Sequence, residues 1–333
     1  MSAPPRATLK AMQRIITIAK KEYLDAIKNK LFLVLLVFLL VLTVTSLVVV
    51  TFDFPNKVME YNKALKVLQN AGRSTAALRA PELAPLKMLR GVIDYLEIIG
   101  AIIGIILGYL SIAKEKGRNV LQLILSRPVS RFDITSGKVV GNSLLVLSVL
   151  AGTTVATYLI MWYVSGQSLS LVEMEKLGLV YIASYLYIMF FFCLTSVLAL
   201  KFKTLPNALI VSLVIWLAFV LIIPQVGDTM DPDNQIPGGF FTSMNLTKPQ
   251  EERVMAKFST YEKVRNALEE SSITKHYERL SFALLGIKNK YDKKPLGAIF
   301  KDMWPDSVWV LLFFSAMLIT EYIVFRKSNF MLA

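Results

Sequence analysis

The chain has 333 residues, 55% hydrophobic and 18% charged, with a net charge of +13, one histidine and one cysteine. Charge is swept out of long apolar runs instead of being spread evenly, which excludes an ordinary soluble domain and marks a polytopic membrane protein. The lone Cys193 rules out an intrachain disulfide, and with His276 as the only histidine it also rules out a protein-only zinc site of the usual Cys/His type.

In chain order, the N-terminal segment 1–30 opens the molecule, and residues 10–30 read as an amphipathic helix. Met12, Ile15, Ile16, Ala19, Tyr23 and Ile27 make one face, while Lys20, Lys21 and Lys28 fall mainly elsewhere. Such a helix is expected in the membrane interface, its cations near the lipid headgroups. Segments 31–51, 92–113, 139–164, 177–200, 207–224 and 307–325 each approach the roughly 20 apolar residues that a helix needs to cross the hydrocarbon. The first holds no charge and follows a basic head too long for a cleavable signal. The expected fold is therefore all-α and polytopic, with six transmembrane helices.

Two connections outside the spans are long enough to fold. Residues 52–91 suggest helices at 56–71 and 82–91, parted by Ala71-Gly72-Arg73-Ser74-Thr75. Residues 225–306 begin with the turn-rich run from Gly227 to Gly239, which argues against an immediate helix. Beyond it, Val254, Phe258, Tyr261, Val264 and Leu268 step at helical spacing, as do Ile273, Tyr277, Leu280 and Leu284. Their apolar faces are expected to cover each other and the 52–91 helices, forming a small helical extracytoplasmic cap. Pro206 and Pro224 are expected to bound the fifth span. Asn245-Leu246-Thr247 fits a glycosylation acceptor.

The connection 114–138 is too polar to cross a bilayer and too regularly patterned to be a slack loop. Leu121, Ile124 and Leu125 fall at helical spacing, Arg118, Arg127 and Arg131 bracket them, and Pro128 stops the helix. A short basic amphipathic helix held by a span on each side can receive force from a soluble partner.

Charge sets the expected orientation. Arg6, Lys10, Arg14, Lys20, Lys21, Lys28 and Lys30 precede the first span; Lys114, Lys116, Arg118, Arg127, Arg131 and Lys138 fill the second-to-third connection; Lys201, Lys203, Arg326 and Lys327 complete the side. Against Glu22, Asp25, Glu115 and Asp133, this surplus equals the whole net charge of +13. Cation-rich connections mark the cytoplasmic side, so both termini are expected there, in a multi-pass protein of the cell membrane. Attraction to lipid explains the surplus without nucleic acid.

Within the spans, Gly100, Gly104 and Gly108 make a GxxxGxxxG row, which lets another backbone approach closely. That partner is a helix of the same subunit, a second subunit, or the wall of a pathway. Glu97 and Glu321 are acids near the outer and inner ends of their spans. Each is a candidate for a transport role or for structural pairing, Glu321 with Arg326 or a neighbouring helix. Cys193 reads as a small packing residue. The chain has no HExxH, no GxSxG and no GxxxxGK[ST]. The fragment Ser136-Gly137-Lys138-Val139 lacks both the upstream glycine and the final hydroxyl, so any ATP hydrolysis is expected on another chain.

The run Leu121-Gln122-Leu123-Ile124-Leu125-Ser126-Arg127-Pro128-Val129-Ser130-Arg131, followed by Gly137-Lys138, resembles the permease subunits of type-2 ATP-binding-cassette transporters. The segment Ala19-Lys20-Lys21-Glu22, leading through Lys28-Asn29-Lys30 into the first span, is similar to that family's acidic interface helix. Where the family often has Gly-Thr-Leu-Glu, this chain has Asn119-Val120-Leu121-Gln122 and loses the acid. The resemblance implies a non-catalytic dimer of permease subunits, each docked on a separate cytoplasmic ATPase. ATP and Mg would be bound by that subunit, with no cofactor on this chain. It implies coupling through Glu115, Asn119, Leu121, Gln122, Leu125, Arg127, Pro128 and Arg131, in an exporter. The alternatives are an ion-coupled secondary transporter, or a membrane-anchored sensor or scaffold whose external domain binds a partner.

Overall fold

The computed structural model describes residues 5–70, 85–116, 129–165, 168–230, 259–292 and 294–327, with isolated positions between 244 and 256. Every element among the described residues is helical. Helix α1 (Pro5–Ile27) ends at Lys28, and the Asn29 side chain then accepts the backbone N–H groups of Leu31 and Phe32, at 3.0 and 3.2 Å, to start α2 (Lys30–Asn70). The second span is α3 (Arg90–Tyr95) and α4 (Ala101–Lys116), joined by a π-helical turn at Leu96–Gly100 and preceded by a 3₁₀ turn at Pro85–Leu89. The third is α5 (Arg131–Ser165) and the fourth α6 (Leu171–Lys201). The fifth comprises α7 (Leu205–Leu217), a π turn at Ala218–Ile222 and α8 (Ile223–Met230). Helices α9 (Ser259–Glu270) and α10 (Ile273–Leu284) precede the sixth span, α11 (Leu296–Lys327). Six helical spans among the described residues, α2, α3–α4, α5, α6, α7–α8 and α11, are long and apolar enough to cross a membrane, and the chain is an all-α polytopic membrane protein.

The spans expected at 31–51, 207–224 and 307–325 are each longer in the structure and run through a proline. Helix α2 runs unbroken through Pro55 for 41 residues, about 60 Å, twice the hydrocarbon thickness. The separate helix expected at 56–71 is its continuation. Helix α11 likewise runs through Pro305, so the last span extends back to Leu296. Pro224 lies inside the fifth span instead of ending it, directly after the π turn, and Gly227–Met230 continue the helix where a turn was expected. An interior proline crowds the carbonyl four residues back, and a wider turn there relieves the clash. Pro206, by contrast, sits in the first turn of α7, where it needs no N–H donor.

Helix α6 is the centre of the bundle. Tyr187, Phe191, Phe192 and Cys193 are fully buried on it, between α4, α7, α10 and α11. The glycine row of the second span explains how α4 comes so close. A Cβ on Gly104 would collide with the Ile188 carbonyl and one on Gly108 with the Phe192 carbonyl, while one on Gly100 would lie 3.1 Å from the Ile188 side chain. The row therefore packs against the chain's own fourth span.

The segment before the last span does not cap the bundle as two mutually covered helices. Helix α10 inserts its apolar face against α6 and α11, and α9 lies on α8. Tyr277 is fully buried, stacks on Tyr187 at 4.5 Å and shares a 2.8 Å hydrogen bond with Ser184. His276 holds Asp306 of α11 at 2.7 Å. Ser272 donates to the Phe219 carbonyl in the π turn of the fifth span. The spans themselves offer a larger apolar surface than the small helices offer each other, so α10 is covered by the spans.

Candidate functional site

The site is assembled where α1 and the ends of four spans meet, on either side of the 117–128 connection. Helix α5 begins with a reciprocal cap. The Asp133 N–H donates to Ser130 Oγ at 3.0 Å, and the Ser130 N–H donates to Asp133 Oδ2 at 3.4 Å. Asp133 is buried and also pairs with Arg14 of α1 at 3.5 Å.

One turn further on, two glycines admit α1. A Cβ on Gly137 would lie 2.6 Å from the Ile18 side chain, and one on Gly141 would lie 2.6 Å from the Ala19 carbonyl. The intervening Lys138 is 1% exposed. Its ammonium meets Glu22 Oε1 at 3.2 Å and donates to the Ser111 carbonyl of α4. Glu22 is itself buried. An ion pair out of water is held only while both charges and their hydrogen bonds are present; losing one partner costs about 3–5 kcal/mol.

This geometry rotates α1 from the face expected of it. Ile15, Ile18, Ala19, Glu22 and Ala26 turn toward the bundle, whereas Met12, Ile16 and Ile27 are exposed. The glycines and the lysine of α5 choose that face: small residues set the approach, and Lys138 needs the carboxylate. Lys138, counted in the sequence with the interfacial cations, is instead enclosed. Lys20 and Lys21 remain exposed, Lys21 lying 3.8 Å from Glu22.

The connection's two ends are tied to other spans. On the α4 side, Lys116 donates to the carbonyls of Ala199 and Phe202, gripping the end of α6. Burial pushes its ammonium below the ordinary lysine value. Lys114 meets Asp25 of α1 at 3.6 Å. On the α5 side, Arg131 donates to the carbonyls of Arg326 and Phe325, at 2.9 and 3.4 Å, capping the end of α11. Ser136 and Tyr322 share a 2.9 Å hydrogen bond across the same contact. Anything that displaces the connection must therefore act on α1, α6 and α11 as well.

Asn119, Leu121, Gln122, Leu125, Arg127 and Pro128 lie outside the described residues, as does the Asn245-Leu246-Thr247 triplet, and Glu115 is described in its backbone only. The two intramembrane acids are not brought together. Glu321 is 1% exposed and accepts from Ser196 of α6 at 2.7 Å, so its partner is a neighbouring span and not Arg326. Glu97 is half-buried in the π turn, among Asp94 and the Lys275 and Glu278 side chains of α10. Its carbonyl accepts from Tyr187 at 2.9 Å. Among the described residues no group of three or more His, Cys, Asp and Glu could hold a metal ion.

The features that sequence reasoning missed are the Glu22–Lys138 pairing and the anchoring of α10 by His276, Tyr277 and Ser272. The first had a signal, since Gly137, Lys138 and Gly141 place one cation between two small residues. The second had none, because each partner lies far away in the chain.

A family model described as "ABC-2 family transporter protein" matches residues 16–329. No match is found among curated proteins. The matched region begins inside α1 and ends just past α11, so it takes in Glu22, Lys138 and the contacts of Lys116 and Arg131, and leaves out Arg14 and Ile15.

Proposed function

The chain belongs to the ABC-2 transporter family, and from that premise we propose that it is one non-catalytic half of a dimeric exporter, driven through residues 115–131 by a separate cytoplasmic ATPase subunit. The observation that carries this reading is the buried contact of Lys138 with Glu22 and with the Ser111 carbonyl. It fastens both flanks of the connection to α1, so the three move as one body.

In this reading, ATP with Mg is bound and hydrolysed on the partner subunit. Movement of that subunit presses on the amphipathic stripe of Leu121 and Leu125. The push reaches α4 through Lys116 and α5 through Arg131, and these carry the ends of α6 and α11 with them. Spans two, three, four and six tilt together, and the cavity between two such bundles opens outward. The cation-rich end faces the cytoplasm of the cell membrane, with both termini on that side.

The test is purification of the full chain with its ATP-binding subunit, comparing wild type with Leu121→Asp and Leu125→Asp. A buried unpaired carboxylate costs roughly several kcal/mol, enough to abolish a contact of this size. The variants are expected to insert and dimerise normally while losing the ATPase. Inserted, dimeric variants that still bind the ATPase and transport at wild-type rate would overturn the proposal. The wild-type chain alone is expected to show no ATP hydrolysis.

A further inference from the structure

At the basic end of the bundle a cavity of about 460 Å³ opens between the first turn of α5 and the last turns of α11, lined by Arg131, Phe132, Thr135, Tyr322, Ile323 and Arg326. We propose that it is a binding site for one anionic phospholipid, whose phosphate sits between the Arg131 and Arg326 guanidinium groups and whose first acyl segment lies along Phe132, Tyr322 and Ile323. The inference goes beyond the transport reading and does not depend on it.

The walls argue for an amphiphile. Phe132 is 63% exposed and Ile323 47% exposed, so a broad apolar surface ends at the cavity rather than being folded away. The Tyr322 hydroxyl is already engaged with Ser136, which leaves its ring as the surface offered to a ligand. Phe132 and Tyr322 pack ring to ring at 5.4 Å and form one continuous wall.

The mouth argues for an anion. Among the described residues, Asp133 turns to Arg14 and the Ser130 cap, Glu321 turns to Ser196, and neither lines the cavity. Arg131 is held across the end of α11 by the carbonyls of Phe325 and Arg326, and Arg326 lines the same cavity. A second groove on the other flank of Ile323 is lined by Lys201, Thr320, Val324 and Lys327, which adds two more cations at the same level. Arginine matches phosphate oxygens in a planar fork, and basic pockets between spans at the cytoplasmic surface suit anionic headgroups.

The experiment uses the full chain in discs of phosphatidylcholine and phosphatidylglycerol at about 4:1, followed by native mass spectrometry of the lipid that stays bound. Wild type is expected to retain phosphatidylglycerol in preference to phosphatidylcholine. Arg326→Gln removes half of the phosphate fork, and Ile323→Trp fills the groove without changing charge. Each is expected to lower the retained anionic lipid by about tenfold. Lys203→Gln, which removes a cation of the same end outside the cavity, is expected to leave retention within about twofold of wild type.

Absence of any preference for phosphatidylglycerol in wild type overturns the proposal. So does an Ile323→Trp variant that retains as much as wild type, or a Lys203→Gln variant that loses as much as Arg326→Gln; either would show diffuse attraction to the surface. A second copy of the chain filling the groove would overturn it too. That outcome would appear as disulfide-linked dimers of Phe132→Cys in a Cys193→Ser background.

Discussion

Lys138 is the residue on which most of the architecture at the basic end turns. It is enclosed, and its ammonium meets the Glu22 carboxylate and the Ser111 carbonyl. Lys138→Met takes the buried cation from Glu22, and Glu22→Leu takes the carboxylate from the Lys138 ammonium, so each is expected to cost about 3–5 kcal/mol in thermal unfolding of the detergent-solubilised chain. The double variant should cost clearly less than the sum, because it removes both charges at once. Additive losses would show that the two side chains do not act on each other. The glycines give a second, independent reading of the same packing. Gly104→Ala and Gly141→Ala place a methyl against backbone and should each destabilise by about 1–3 kcal/mol. Gly152→Ala meets nothing within 4 Å and should be neutral or stabilising by about 0.5–1 kcal/mol. Equal melting temperatures for the Gly104, Gly141 and Gly152 variants would refute the close approaches.

At the scale of the element, α9 and α10 are held to each other by charge and to the spans by apolar contact. Glu269 receives Arg265 at 3.2 Å and Arg279 at 2.7 Å, and its carboxylate packs on Gly227 of α8. Burial by itself would raise this carboxyl. The hydrogen bond from Arg279 and the charges of Lys275, Arg265 and Arg279 outweigh burial and hold it below its ordinary value of 4.5. A carboxyl lowered in the folded state contributes fully above its ordinary value, and the contribution is lost as pH falls through the lower folded value. Protection of the amides across 259–284, corrected for the intrinsic exchange rate at each pH, should therefore fall on acidification from about pH 6 to about pH 3, and Glu269→Gln should flatten that dependence. A dependence that persists unchanged in Glu269→Gln would assign the effect to another group. The periods of both helices were legible in the sequence. What covers them was not, since Val264 and Leu268 stay largely exposed while Ile273, Tyr277 and Leu284 are buried by spans distant in the chain.

For the whole molecule, the six spans followed from the length of the apolar runs, and orientation rests on the charge surplus of one end. Cysteine introduced at 265 in a Cys193→Ser background should react with an impermeant reagent added outside intact cells, and cysteine at 120 should not. External labelling at 120 would reverse the orientation and remove the ATPase from the side on which the connection needs it. The same surplus divides into parts that the sequence could not tell apart. Lys138 is sealed inside, Lys116 grips the end of α6 and Arg131 caps α11, whereas Lys20 and Lys21 are exposed.

The sequence by itself determined the helical class, the spans and the existence of a polar, patterned connection after the second span, because hydrophobic length and helical period are properties of neighbouring residues. It also marked Gly100, Gly104 and Gly108 as a place of close approach, since a missing Cβ is visible in any context. Only the tertiary structure decided that α6 is what approaches, that α1 turns Glu22 inward to Lys138, and that α10 enters between the spans. Those outcomes depend on which surfaces far apart in the chain bury the most apolar area and leave no charge unanswered, and that competition is settled only when all the helices are packed together.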